Sequence, residues 1–144
     1  MNNTQFVYVT YIGTTPESLW SALVDREITR QYWDHENVSD WKAGSSWEHR
    51  RCDDQGTADL VGTILESEPP WRLALEWASP SNPSQLSRVK FEIAPVLGVV
   101  RLTVTHDDLE PNSAIYDDIS KGWPMVISRL KTLLETGKAL PKLW

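Results

Sequence analysis

Two histidines and the single cysteine are the side chains of this chain best suited to catalysis or metal binding. His49 and Cys52 lie three residues apart, in a predicted strand and the turn after it. No second pair accompanies them to complete a tetrahedral zinc site. Cys52 follows no helix start and has no indicated Cys–His geometry, so a reactive thiolate is not expected. The sequence therefore predicts neither a metal nor a cofactor.

His106 continues the apolar face of another predicted strand, so we expect its ring to be buried. Asp107 and Asp108 follow directly, and a carboxylate from this pair would hold the ring, although strict alternation places Asp107 on the opposite face. No recognisable nucleophile accompanies the histidine as a general base. The sequence assigns no catalytic residue.

Tryptophan is abundant, with 8 in 144 residues. Such large rings either fill a core or line a pocket, and both interpretations stay open at this stage. Alternation places Trp47 with His49 on one strand face and Leu75 with Trp77 on another.

The pattern of apolar residues predicts a strand, two short helices, a meander of about five strands and a long helix. A threonine cap and Pro16 start the first helix, and Asp25 caps the second. Polar loops are predicted at residues 34–46 and 79–84. The predicted strands cover residues 6–12, 47–51, 58–66, 71–77, 88–93 and 99–106, and the last two helices cover residues 26–33 and 112–137.

The long C-terminal helix carries a broad apolar stripe, so it needs a large apolar surface to lie on. Gly137 supplies its end. Pro124 leaves the carbonyl of Ser120 without a helical donor, which predicts a bend beside Gly122. Strands with one wet and one dry face fit an antiparallel sheet covered on one side, an α+β arrangement.

Composition limits the classes of function. The length fits one domain, 1–144, and the 24% of charged residues are typical of a globular protein. A net charge of -6 argues against nucleic acid as a partner. No apolar run approaches the roughly 20 residues that span a bilayer, so no membrane partner is expected. With no signal peptide pattern and a single cysteine, we predict a cytoplasmic protein.

Several strings resemble the START-like superfamily, also called the SRPBCC or helix-grip fold. They are residues 15–23 (TPESLWSAL), 28–33 (ITRQYW), 62–66 (GTILE), 69–73 (PPWRL) and 103–106 (TVTH), and Gly122-Trp123-Pro124 leading into 130–137 (LKTLLETG). Within the superfamily the chain is similar to the activator of Hsp90 ATPase, homologue 1-like family. The resemblance implies a curved antiparallel sheet wrapped around a long C-terminal helix, with two short helices after the first strand. It also implies a largely apolar cavity between sheet and helix.

Combined with the alternation of the strands, that cavity gives a set of predicted ligand-binding residues. The expected function is to bind a hydrophobic or aromatic small molecule, with rings stacking on it and a histidine fixing its polar end. The set is Trp33, Trp41, Trp47, His49, Leu75, Trp77, Phe91, Val104, His106 and Trp123.

Two other functions follow from the resemblance. One is an enzyme similar to polyketide cyclases and dehydratases, with His106, His49 or Tyr116 as acid or base. The other is a chaperone-associated role; the eukaryotic co-chaperones have an additional N-terminal domain for which this chain has no room, so an Hsp90 partner is not expected. The apolar C-terminal end at Trp144 docks either on the sheet or on a second subunit, which leaves a homodimer open.

Overall fold

The computed structural model describes residues 4–144, which form seven strands and three helices. In chain order the elements are β1 (Thr4–Ile12), α1 (Pro16–Val24), α2 (Arg26–Trp33), β2 (His35–Val38), β3 (Ser46–Arg51), β4 (Ala58–Glu68), β5 (Arg72–Ser79), β6 (Asn82–Val96), β7 (Val99–Leu109) and α3 (Ala114–Thr136).

The strands form one antiparallel sheet in the order β1-β7-β6-β5-β4-β3-β2. Strands β2 to β7 follow one another as a meander, and β1 returns to pair with β7, so that Ile12 lies opposite Val100. The sheet curves around α3, whose Val126, Ile127 and Leu130 are buried in the core. The predicted helix-grip fold is confirmed.

Local chemistry explains where the helices begin and end. The Thr15 side chain accepts a hydrogen bond from the backbone N–H of Ser18, and Asp25 accepts one from Glu27. Ser113 caps α3 by accepting from Tyr116, and Gly137 ends the helix in the left-handed conformation that glycine adopts without strain. The helix α3 continues through Pro124, and a bend there stays a prediction.

Both predicted loops were too long. Strand β2 lies inside residues 34–46, where His35 pairs with Arg51 of β3. This strand was not predicted, because its residues are mostly polar. Their polar groups have partners in the structure: Glu36 pairs with Arg26 at 2.7 Å, and the buried Asn37 has hydrogen-bond partners. Strands β5 and β6 are joined by two residues only, since β6 already begins at Asn82.

Arg129 of α3 joins the helices and the C-terminal segment. Its guanidinium, which is almost fully buried, donates to the carbonyls of Tyr32 at 2.7 Å and Leu140 at 2.8 Å. Trp144 lies over the same guanidinium, 5.2 Å from it. Within one chain, the C-terminal end therefore docks beside α2 and α3.

Gly62 of β4 lies against both the Trp47 ring and the backbone of β5. The Trp47 indole crosses over this glycine, and its Nε1–H donates to the Glu76 carbonyl oxygen at 2.6 Å. A Cβ at Gly62 would lie 2.0 Å from that oxygen and 2.7 Å from the indole nitrogen. Only glycine leaves room for this crossing.

We expect Gly62→Ala to lower the free energy of unfolding by about 3 kcal/mol or more, because backbone and a buried ring must both move. Gly122→Ala is the matched control: nothing lies within 4 Å of its Cβ, so this helical site should gain up to about 1 kcal/mol. Urea unfolding of both variants measures the difference. Equal stability of the two variants would contradict the crowding at Gly62.

Candidate functional site

All ten residues predicted to bind a ligand lie in or against the core between α3 and the sheet. Some are fully buried, and others are partly buried rings packed on the core. They are Trp33, Trp41, Trp47, His49, Leu75, Trp77, Phe91, Val104, His106 and Trp123. Their placement together was predicted from the sequence; contact with a ligand stays a prediction.

Seven of these residues form what we call the aromatic cluster: Trp33, Trp47, His49, Trp77, Phe91, His106 and Trp123. Trp77 lies at its centre, with its ring centroid 5.2 Å from His106 and 5.4 Å from Trp123. Most of these rings meet tilted or edge to face, as aromatic quadrupoles prefer, and His49 and Trp77 are stacked.

The aromatic cluster fills the interior. The space left between it and the neighbouring Leu23, Trp41 and Leu75 is about 10 Å³, which is room for about one water molecule. The predicted cavity is therefore occupied by the protein's own side chains in this structure.

His106 is buried as predicted, but neutral groups hold its ring. Trp123 Nε1–H donates to its Nδ1 at 3.1 Å, and its Nε2 lies 2.7 Å from Ser87 Oγ. The prediction that a carboxylate holds this ring was wrong. Asp107 lies on the other face of the strand and pairs with Arg88 at 3.0 Å. Burial lowers the pKa of His106 to about 4.

His49 is held in the same way, since its Nδ1 donates to the amide oxygen of Asn37. His35 stacks on its ring at 4.0 Å, and His35 Nε2 lies 2.9 Å from Asp59. Burial, and then the nearby His35, lower the pKa of His49 well below its usual range. His35 was not among the predicted site residues, because residues 34–46 were expected to form a loop.

An open pocket lies where the ends of the strands meet the start of α3. This end pocket has a volume of about 360 Å³, within the range of small-molecule sites. It is lined by Leu60, Trp77, Ala78, Ser79, Ser84, Gln85, Leu86, Ser87, Asp108, Leu109, Glu110, Ser113 and Ile115.

Of the ten predicted residues, only Trp77 lines the end pocket. Ser87 carried a usable signal, because it has the same parity as Val89 and Phe91 on β6. The predicted strand began at residue 88, so Ser87 was left out of the inward-facing residues. Ile115, near the start of α3, is 41% exposed and lines the pocket.

The Cys52 thiol is not activated as a nucleophile. Burial, and then Glu36, raise the pKa of the Cys52 thiol, which keeps it protonated and a weak nucleophile. Within residues 4–144, no three His, Cys, Asp or Glu side chains are grouped to hold a metal ion. Of the helices in this part of the chain, none combines the length and apolar character needed to cross a membrane.

Solved structures show the same fold. The Aha1 dimer from Colwellia psychrerythraea matches with a TM-score of 0.81 at 17% identity, over 94% of this chain and 99% of that one. An Hsp90 activator from Plasmodium falciparum matches at 0.75 and 19%, over 90% and 95%. DynU16, a protein in the dynemicin biosynthetic locus, matches at 0.80 and 18%, over 94% of this chain and 48% of that one.

A search of curated proteins gave no significant match. The family model described as activator of Hsp90 ATPase homolog 1-like protein matches residues 13–135, which include both short helices and nearly all of α3. The chain belongs to the activator of Hsp90 ATPase homolog 1-like family.

Proposed function

We propose that this protein binds a flat, apolar small molecule in the end pocket, between the sheet and the start of α3. The observation that carries the proposal is an open space of about 360 Å³ that is lined in part by Trp77, the residue at the centre of the aromatic cluster. Leu60, Leu109 and Ile115 supply apolar surface around it, and serine hydroxyls supply a few polar groups. Apolar walls with few polar groups are the usual form of a ligand site.

The end pocket replaces the interior as the expected place of binding. A ligand between the packed rings would have to displace them, because only about 10 Å³ is free there. Trp77 lines both spaces, so its ring separates the filled interior from the open end. The likeness to the Plasmodium Hsp90 activator is one of fold at 19% identity, so we base the proposal on the pocket.

The protonation of His106 supports binding over acid–base catalysis. An indole N–H can only donate, so Nδ1 of His106 must accept and its Nε2 must carry the proton. That proton is donated to Ser87 Oγ, so the ring cannot remove a proton from the serine. Ser87 and His106 resemble a nucleophile and its base in distance, but the direction of the hydrogen bond is opposite.

We expect a naphthalene-sized probe such as 2-acetylnaphthalene to stabilise the protein and quench its tryptophan fluorescence. At about 100 times the dissociation constant the gain should be roughly 2.7 kcal/mol. For 144 residues this is a rise in Tm of several degrees, about 5 °C. Thermal unfolding and a fluorescence titration measure both effects.

Ile115→Asp should weaken this binding about tenfold, because a charge replaces apolar surface at the wall of the pocket. Leu97→Asp is the control, since Leu97 is fully exposed on the β6–β7 turn and outside the pocket. Equal affinity of the two variants, or no binding by the unchanged protein, would refute the end pocket as a ligand site.

The low pKa of His106 predicts a loss of stability in acid. In the unfolded chain this histidine takes up a proton near pH 6.5, whereas in the folded chain it does so only near pH 4. Its contribution is therefore complete above pH 6.5 and is lost as the pH falls towards 4, by about 3 kcal/mol in total. Urea unfolding at pH 7 and pH 4.5 measures this loss.

In His106→Gln the amide keeps a donor and an acceptor but does not titrate. We expect the variant to lose about 2 kcal/mol less than the unchanged protein between the two pH values. The remaining loss comes from other groups, His49 among them, whose pKa is also lowered by burial. The same pH dependence in both proteins would show that His106 is not held neutral.

A further inference from the structure

We propose that Ser87 is the polar anchor of the end pocket, and that its hydroxyl donates a hydrogen bond to the carbonyl of a neutral aryl ketone. The inference rests on the proposed function, because it names the class of molecule bound at the same site. Ser87 lies on β6, lines the pocket, pairs with Trp77 of β5 and is 7% exposed.

A chain of hydrogen bonds determines what Ser87 can do. Trp123 Nε1–H donates to His106 Nδ1 at 3.1 Å, and His106 Nε2–H donates to Ser87 Oγ at 2.7 Å. Because the indole can only donate, each later direction is forced. The Ser87 oxygen therefore accepts from His106 and keeps its own hydroxyl hydrogen free to donate, alongside a second lone pair.

The hydroxyl hydrogen of Ser87 is weakly engaged within the protein. The carbonyl oxygen of Trp77 lies 3.4 Å from Ser87 Oγ, beyond the usual range of about 2.5–3.0 Å for a bond between oxygens. A carbonyl entering the pocket offers a closer acceptor. Donation from His106 also polarises the hydroxyl, which makes it a better donor.

The charge of the pocket selects a neutral molecule. Asp108 and Glu110 line the end pocket, and its described lining holds no lysine or arginine. A carboxylate ligand would meet two like charges with no cation to pair with. An aryl ketone combines a flat apolar body for Trp77 with an uncharged acceptor for Ser87.

The test compares 2-acetylnaphthalene with 2-ethylnaphthalene, which has nearly the same shape but no acceptor, and with 2-naphthoate. Ser87→Ala should raise the dissociation constant of the ketone roughly fivefold and leave that of the hydrocarbon unchanged. Ser120→Ala is the control, because the Ser120 hydroxyl donates to the Asp117 carbonyl within α3 and Ser120 does not line the pocket. This variant should leave both constants unchanged.

Two further measurements separate anchoring from a general effect on the fold. The infrared carbonyl band of bound 2-acetylnaphthalene should shift to lower frequency, and Ser87→Ala should remove the shift. Trp123→Phe removes the donor that sets the ring of His106, so it should reduce the preference for ketone over hydrocarbon although Trp123 does not line the pocket. Trp123 and His106 would then be positioning residues.

The outcomes distinguish the two proposals. If ketone and hydrocarbon both bind and Ser87→Ala changes neither, the end pocket is a ligand site but Ser87 is not its anchor. If 2-naphthoate binds most tightly, the preference for a neutral molecule is wrong. If none of the three compounds binds the unchanged protein, the proposed function fails, and the anchor with it.

Discussion

The hydrogen bond from Trp123 to His106 joins the long helix α3 to strand β7, the neighbour of the edge strand β1. The surfaces around it are apolar, and apolar contacts alone do not distinguish sharply between nearby positions of a helix on a sheet. Separating the two rings would leave a buried donor and a buried acceptor unpaired, which costs about 1–3 kcal/mol for each group. The bond therefore selects one position and one rotation of α3.

The placement of the end pocket follows from that position. With Trp123 held against β7, the buried stripe of α3 continues towards its C-terminal end through Ile127 and Leu130. At the other end, the helix begins at Ala114 and brings Ile115 over the last residues of the strands. The rings of the aromatic cluster close the space between, so the open volume remains where the helix starts. The hydrogen bond between Trp123 and His106 thus helps to determine both the packing of the interior and the position of the end pocket.

Much of this arrangement was readable from the sequence. Alternation on β6 and β7 and the stripe on α3 predicted the sheet, the long helix and the face of each that meets the other. The strings around Trp20, Trp33 and Gly122-Trp123-Pro124 indicated the family. Such a pattern arises because one face of a strand or helix is buried. It repeats within a short stretch of sequence, so it can be detected without knowledge of the fold.

The remaining features depend on groups that no local pattern connects. In strand β2, Glu36 accepts a hydrogen bond from Arg26 and Asn37 accepts one from His49. These partners are ten and twelve residues away in the sequence. Whether a cavity is open or filled depends on a small difference between the volume enclosed by the backbone and the volume of the side chains inside it. The number of tryptophans alone therefore does not determine the outcome. The walls of the end pocket come from the ends of four strands and the start of α3. The role of Ser87 as a hydrogen-bond donor in our proposal depends on which nitrogen of His106 carries the proton.

The pairing of β1 with β7 has a consequence for the newly made chain. Strand β1 is synthesised before the other six strands of the sheet and contains no charged residue between Thr4 and Ile12, while its partner ends at Leu109. At the usual speed of translation, roughly 5 to 20 s pass before the partner strand is complete. During this time β1 is an uncharged β-strand sequence without its partner, the kind of segment that readily joins other chains. Strand β1 can pair with β7 only after the residues up to Leu109 have been made.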